Sequence, residues 1–432
     1  MKLIKLFFHA ISVMIILVFL STSGLAYQVT FEPRLNIIEM YTDNVEGTES
    51  DPESDFITTI RPEVSFSAIG QNQGLDFSYG PAYSIYEDHG EYDTLRHEAD
   101  LAAYCILSRN SRIDISDSFI YTEEPLSDID ASINPGDSSS RTPYYRNVAD
   151  LTFNNRFSAD DVVTLIYQYA VLENEDEDSQ LEDYQGHTPS FSWEKGLTDR
   201  ISNQGTLKYT RGQFDVMDDF EQYYANLHLS WQVVRTLQTR LSYERTIHLF
   251  DGSGDENYRV RHPSIGLTYE RGEDTRLSIS VGHIWIEREK DDDEDRFLFS
   301  SDIDQTWRFR RGFFNITGSS GYNESYFREN NLGPRIYYQG GAQLSYQIRQ
   351  DLIAAVGGSC RTDTYLNTDD DREDRTTTGY AGLTYTGIQY VSAELSYDYR
   401  LLDSDEDDLG FQERRITFSI TLTPEQAIRI LN

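Results

Sequence analysis

The feature that most constrains this chain is a period of two that runs almost to its end. Glu63, Ser65 and Ser67 alternate with Val64, Phe66 and Ala68, and Asp76 and Ser78 alternate with Leu75, Phe77 and Tyr79. The same rhythm returns at 149–153, 225–231, 391–397 and 416–422. Strict alternation gives a segment one polar and one apolar face, which is the mark of a β-strand and not of a helix. Past residue 26, no segment longer than a dozen residues carries a helical period.

The connections sort into two kinds, taken in turn. Short ones lie at 70–74, 108–111, 158–160, 194–199, 233–236, 270–274, 308–311, 348–351 and 387–389. Long ones lie at 43–55, 87–93, 122–143, 173–183, 212–219, 250–257, 287–295, 326–333, 366–374 and 401–410. Nine short and ten long connections separate twenty strands and leave both chain ends on the short side. Charge follows the same division. The ten long connections hold 46 Asp and Glu against five Lys and Arg, so in a chain of net charge −36 everything else nets +5. Arg235, Arg271, Arg308, Arg310, Arg311 and Arg349 sit at the short side. An object acidic at one end only is unlike a domain that meets water all round. Transmembrane barrels have an even strand number, short periplasmic turns and longer extracellular loops.

Composition narrows the rest. The charge of −36 argues against a nucleic-acid partner, which needs clustered basic surface. Two Cys cannot build a disulfide framework. Cys105 and Cys360 fall on the apolar faces of the fourth and seventeenth strands, too far apart to be bridged. A mean hydropathy of −0.56 argues against a bundle of membrane helices but not against a barrel, where only alternate residues face lipid. Aromatic residues make up 13% of the chain, and Tyr79, Tyr167, Trp193, Trp231, Trp285 and Trp307 lie near predicted strand ends, as in an interfacial girdle.

Residues 1–26 read as a cleaved signal peptide. Lys2 and Lys5 precede an apolar stretch at 6–20, and Gly24 and Ala26 supply small residues before the cleavage point. Residues 27–432 read as one outer-membrane barrel domain, because no Pro, Ser or Gly linker divides them.

Continuing the alternation turns Arg61, Glu63, Asp76, Arg96, Glu98, Asp100, Arg112, Asp114, Asp150, Lys208, Arg240, Glu244, Asp302, Asp304, Glu394 and Asp398 toward the lumen. Both signs are present. Either opposite charges pair and stiffen the wall, or they set a transverse field that orients polar solutes. The acidic runs in the long connections include Asp291, Asp292, Asp293, Asp369, Asp370 and Asp371, candidates for weak divalent binding by oxygen ligands. The alternative is a solvated loop whose charge opposes aggregation. His89 beside Asp88 and Asp93, and His248 near Asp251, are the pairs from which a hydrolase reading can start. No nucleophile signature accompanies them, and the chain is read as a non-enzyme without cofactor.

One stretch adds a resemblance. An apolar strand that follows Pro33 and ends in Tyr41, Thr42, Asp43 and Asn44 resembles the start of the outer-membrane β-barrel porins found with bacterial exopolysaccharide and PEP-CTERM (exosortase) systems. The segment Ile60, Arg61, Pro62, Glu63 and Val64 is similar to that family's second strand. The resemblance implies insertion by the barrel assembly machinery and passage of a polysaccharide outward, and it carries no catalytic residues. One departure is the tail at 423–432, which follows Phe418 where many such barrels end on an aromatic residue. It is expected to fold back at the periplasmic rim or to touch a partner.

The resulting expectation is an all-β fold, a transmembrane antiparallel β-barrel of about 20 strands (18 to 22), in the outer membrane of a Gram-negative bacterium. Its periplasmic turns are short and its extracellular loops long and acidic. The expected function is a porin or channel for polar solutes. The alternatives are a non-conducting structural or adhesin-like surface barrel and, behind it, an outer-membrane hydrolase. The expected partners are outer-membrane lipid and lipopolysaccharide, the assembly machinery, and a polysaccharide or its export apparatus. The longest connection, at 122–143, is the expected plug of the lumen.

Overall fold

The computed structural model describes residues 28–124, 142–175, 183–215, 218–252, 257–289, 293–325, 333–366, 372–406, 409–424 and 428–431. The expected signal peptide lies outside them. So do most of the expected plug and Asp291, Asp292, Asp369, Asp370 and Asp371 of the expected divalent sites, while Asp293 is described and exposed.

The strands are β1 (Gln28–Thr42), β2 (Asp55–Ile69), β3 (Gln73–Tyr86), β4 (Thr94–Ile106), β5 (Ser111–Thr122), β6 (Tyr144–Arg156) and β7 (Asp161–Asn174). There follow β8 (Tyr184–Thr198), β9 (Ile201–Phe214), β10 (Phe220–Val234), β11 (Leu237–Phe250), β12 (Tyr258–Glu270), β13 (Thr275–Arg288) and β14 (Glu294–Phe309). The last are β15 (Gly312–Ser325), β16 (Gly333–Arg349), β17 (Leu352–Tyr365), β18 (Glu373–Ile388), β19 (Val391–Ser404), β20 (Phe411–Leu422) and β21 (Ile428–Leu431). Strands β1 to β20 pair antiparallel with their neighbours in sequence, and β20 returns to β1 from Leu35 opposite Leu422 to Thr42 opposite Arg415. The sheet is therefore a closed twenty-stranded barrel. Closure removes the unpaired edges that a sheet of this length exposes. The tail does fold back: β21 pairs Val29, Thr30 and Phe31 of β1 and prolongs the closing seam at the short-turn rim.

The short and long connections fall where the sequence places them. Five turns, at 199–200, 235–236, 310–311, 350–351 and 389–390, shrink to two residues, the length of the commonest hairpin connections.

Register decides which side chains share a face, because directly opposed residues point the same way. Asp100 stands opposite Ser78 and Ser118, and Ser118 opposite Val148. Traced in this way around the closed sheet, all sixteen predicted lumen residues lie on one face. The other face carries exposed Ile37, Leu151, Leu207, Leu229, Ile265, Phe299 and Leu395. The polar face is the concave one, since Arg61 of β2 bonds Glu98 of β4 over the intervening strand. Gly80 of β3 lies beneath that contact. A Cβ there would stand 3.2 Å from the Arg61 Nε, closer than an ordinary contact. Cys105 and Cys360 are both on the outward face and both free.

Candidate functional site

The lumen wall differs around its circumference. On β1 to β5 the inward charges join into one chain. Arg34 bonds Glu63 at 3.2 Å, Glu63 meets Arg61 at 3.8 Å, Arg61 bonds Glu98, Arg96 bonds Glu98 at 2.9 Å, and Arg96 also bonds Glu124. Each carboxylate in the middle of the chain lies between two guanidinium groups, so the desolvation cost of each ion is offset from two sides. Arg61, Glu63, Arg96 and Glu98 are thus paired with opposite charges along the wall. Arg112 and Asp114 form a separate pair at 2.5 Å. A second charged group lies at the loop end of β16 to β18. Arg335 bonds Asp363 at 3.3 Å, Arg361 bonds Asp363 at 2.6 Å, and Arg372 bonds Asp374 at 2.7 Å. Asp363 and Asp374 are fully buried there, and Arg335 and Arg372 pack over the Tyr365 ring.

Below the first ion chain the wall changes character. Glu32, Ser65, Ser67, Asp76, Ser78, Asp100, Ser116, Ser118 and Asp150 line a cavity of about 410 Å³. Among the described residues, Asp76 and Asp100 have no basic group within 4.0 Å, while Asp150 accepts from Gln168 at 3.0 Å. Of the other predicted lumen residues, Asp304 accepts from Asn315 at 2.7 Å and Asp398 accepts from Ser396 at 3.0 Å. Lys208 and Glu244 face a second cavity. Arg240, Asp302 and Glu394 stand on the same face and join neither ion chain.

On β6 to β14 the loop end of the inward face is apolar. Tyr144, Leu172, Tyr184, Phe220, Tyr258, Val260, Ile284, Ile286 and Leu298 form one buried cluster. Inward side chains of a wide, empty barrel would be wet, so full burial means that the lumen is filled here. Pro334, Arg335 and Ile336 are three consecutive buried residues of β16, although consecutive strand residues point to opposite faces. Ile336 belongs to the same cluster, Tyr322 of β15 packs on it, and the two stand opposite each other in register. Beyond Ser320, β15 is no longer paired with β14, and the loop end of the β15–β16 hairpin leans into the barrel while β16 stays paired with β17 as far as Arg335 opposite Tyr365.

The second cavity, about 320 Å³, lies under that hairpin. It is lined by Gln168, Thr188, Lys208, Thr210, Phe220, Gln222, Tyr224, Glu244 and Thr246 of β7 to β11, together with Tyr322 and Asn323. Its wall opens locally because Pro189 has no N–H to give to β9, and the ladder there skips from His187 to Ser190. Across the gap Thr188 donates its hydroxyl to Thr210 at 3.1 Å.

The two histidine pairs resolve differently from expectation. His89 bonds Asp55 at 2.9 Å and Glu53 at 2.5 Å rather than Asp88 or Asp93. These bonds, Glu53's first, push its imidazole above the ordinary histidine range. His248 is fully buried and stacks with Phe220, Phe250 and Tyr258 at 4.5 to 5.1 Å between centroids. The histidine that does meet a serine is His228, 2.8 Å from the Ser242 hydroxyl. Among the described residues no carboxylate bonds its ring.

Residues 315–423 match the family model described as "Putative beta-barrel porin 2". The match spans nearly all of β15 to β20, including the strands of the inward hairpin. No curated protein matches the chain. Among solved structures it is similar to a ferric enterobactin receptor (PfeA) mutant from Pseudomonas aeruginosa, at 9% identity over 91% of this chain and 80% of that one, with a TM-score of 0.54. The siderophore receptor PirA from Acinetobacter baumannii gives 8% identity over 91% and 80%, with a TM-score of 0.54. The FrpB iron transporter from Neisseria meningitidis gives 10% over 91% and 81%, with a TM-score of 0.53. At such identity the likeness is one of fold. The fold is that of outer-membrane barrels, and the family model adds a porin-type match in the last six strands.

Reasoning from sequence named only charged lumen residues. It missed Gln168, Thr188, Thr210 and Gln222, although the same alternation turns them inward. It also missed Tyr322, which alternation along β15 places with outward Phe314 and Ile316.

Proposed function

We propose that this chain is a passive channel of the outer membrane of a Gram-negative bacterium. Its apolar face lies in lipid, and polar solutes move along its inward face. The observation that carries this reading is a pair of cavities on the inward face that both present hydroxyl and carboxylate groups, with Gln168 of one bonded to Asp150 of the other. A barrel that served only as a surface scaffold has no use for hydroxyls and unpaired carboxylates in its interior. A hydrolase needs a nucleophile with a base that a third group orients, and among the described residues neither His89 nor His228 is placed in such a set.

The finer proposal is that the solute is a polysaccharide moving outward. It is supported by the resemblance of the segment from Pro33 to Asn44 to barrels found with exopolysaccharide systems. In this reading the leader at 1–26 exports the chain, the assembly machinery inserts it, lipopolysaccharide surrounds the acidic loops, and an export apparatus meets the short-turn rim.

Single-channel conductance of refolded protein in planar bilayers tests the channel. Resolved steps are expected. Silence from a barrel shown to be folded by heat-modifiable migration overturns the reading in favour of a structural role.

A further inference from the structure

We infer that the cavity between β7 to β11 and the inward end of the β15–β16 hairpin is a binding subsite for a neutral, ring-shaped polyol, that is, for a sugar unit. The inference rests on the channel reading for its biological setting, but not for its chemistry.

Charge is the first argument. Among the described residues the cavity holds one cation, Lys208, and one anion, Glu244, so it favours neither sign. The neighbouring cavity, with Asp76, Asp100 and Asp150, is where a cation is drawn instead. The second argument is the kind of polar group. Thr210, Gln222 and Thr246 are at least nine-tenths buried and line the cavity. Hydroxyl and amide groups both donate and accept, and they match a ligand whose every hydroxyl does the same. The third argument is the aromatic complement. Tyr224 of the wall, whose ring also carries the Lys208 ammonium at 5.6 Å, and Tyr322 of the hairpin both line the space. A sugar ring has C–H faces that pack on such rings while its edge carries the hydroxyls. At about 320 Å³ the space falls at the low end of small-molecule sites, fit for one sugar or a short run of them.

The test is current block by maltotriose against a polyethylene glycol of equal hydrodynamic size. Maltotriose is expected to give resolved interruptions of the single-channel current, and the glycol only a lowered conductance. Gln222→Ala is expected to raise the half-blocking maltotriose concentration about tenfold, the loss of one or two hydrogen bonds. Equal effects of the two probes, or a Gln222→Ala channel blocked as readily as the parent, overturn the inference and leave the channel standing. A silent bilayer counts against the channel instead, and calorimetric titration of the folded barrel with maltotriose then reads the site. Binding weakened about tenfold by Gln222→Ala upholds it, and absence of binding overturns it.

Discussion

Gln168 donates its side-chain amide to Asp150 at 3.0 Å, and the two residues belong to different cavities. The contact is the point where a serine- and carboxylate-lined groove gives way to a charge-balanced chamber. Among the described residues, Asp76 and Asp100 lie in that groove without basic partners, so their field acts on solutes rather than on the wall. The channel is expected to prefer cations. Asp76→Asn with Asp100→Asn is expected to move the reversal potential in a potassium chloride gradient toward zero, by a severalfold fall in the permeability ratio. An unchanged reversal potential would place the selectivity elsewhere, with the acidic loops.

The ion chain on β1 to β5 makes a prediction about stability. Removing Arg61 leaves Glu63 and Glu98 facing each other with half their compensation. The Arg61 and Glu98 side chains are 30% and 20% exposed, between the surface and buried cases. Arg61→Ala is expected to cost about 1–2 kcal/mol. Glu98→Ala on top of it is expected to recover part of that loss. Denaturant unfolding of the two single variants and the double variant in micelles yields the coupling. A coupling of zero would mean that the pairs merely coexist.

The His89 bonds tie two long loops together at the acidic end. Protonated, the ring donates to Asp55 and to Glu53, and Tyr92 stacks on it at 5.7 Å. Because the folded form holds the proton more tightly than the unfolded reference of 6.5, the clip is complete below that pH. It is lost as pH rises through the raised folded value. Amide exchange at 44–54 and 87–93, corrected for intrinsic rates, is expected to accelerate as pH rises through that raised value. In His89→Gln that pH dependence is expected to vanish.

The wall was legible in the sequence because alternation with one face in lipid leaves a residue no freedom of side. All sixteen charged residues assigned to the lumen stand on that face. The filling of the lumen was not legible. Tyr322 and Ile336 keep the alternation of their strands, yet the end of that hairpin turns inward as a body, a tertiary event to which period two is blind. His89 likewise finds Asp55, 34 positions away, rather than its neighbours in sequence. Such partners are set by which loops the barrel brings together.

Asp117 breaks the rule of the wall. It stands midway along β5 on the outward face, opposite Leu101 and Ala149, and accepts from Asn147 at 3.1 Å. In the proposed setting this is a carboxylate at the depth of the lipid tails, where ionisable side chains are costly. Asp117→Leu is expected to stabilise the barrel by about 1–2 kcal/mol in denaturant titrations in phospholipid vesicles. A loss of stability would mean that the Asn147 bond outweighs the cost, and that the pair holds β5 to β6.

The last prediction separates two candidate obstructions. The 122–143 connection is the longest, but among the described residues the inward end of β15 and β16, with Leu366 just past β17, packs on the apolar cluster in the lumen. Joining β15 to β16 by a two-residue turn after Ser320 removes Tyr322, Asn323 and Ile336 from the lumen while leaving the wall below intact. It uncovers one side of the apolar cluster that Ile284, Leu298 and Tyr258 form, so some loss of stability accompanies it. Single-channel conductance is expected to rise severalfold in this variant and to change little when 128–141 is deleted. The opposite result would make the long connection the plug and the hairpin a brace against the wall.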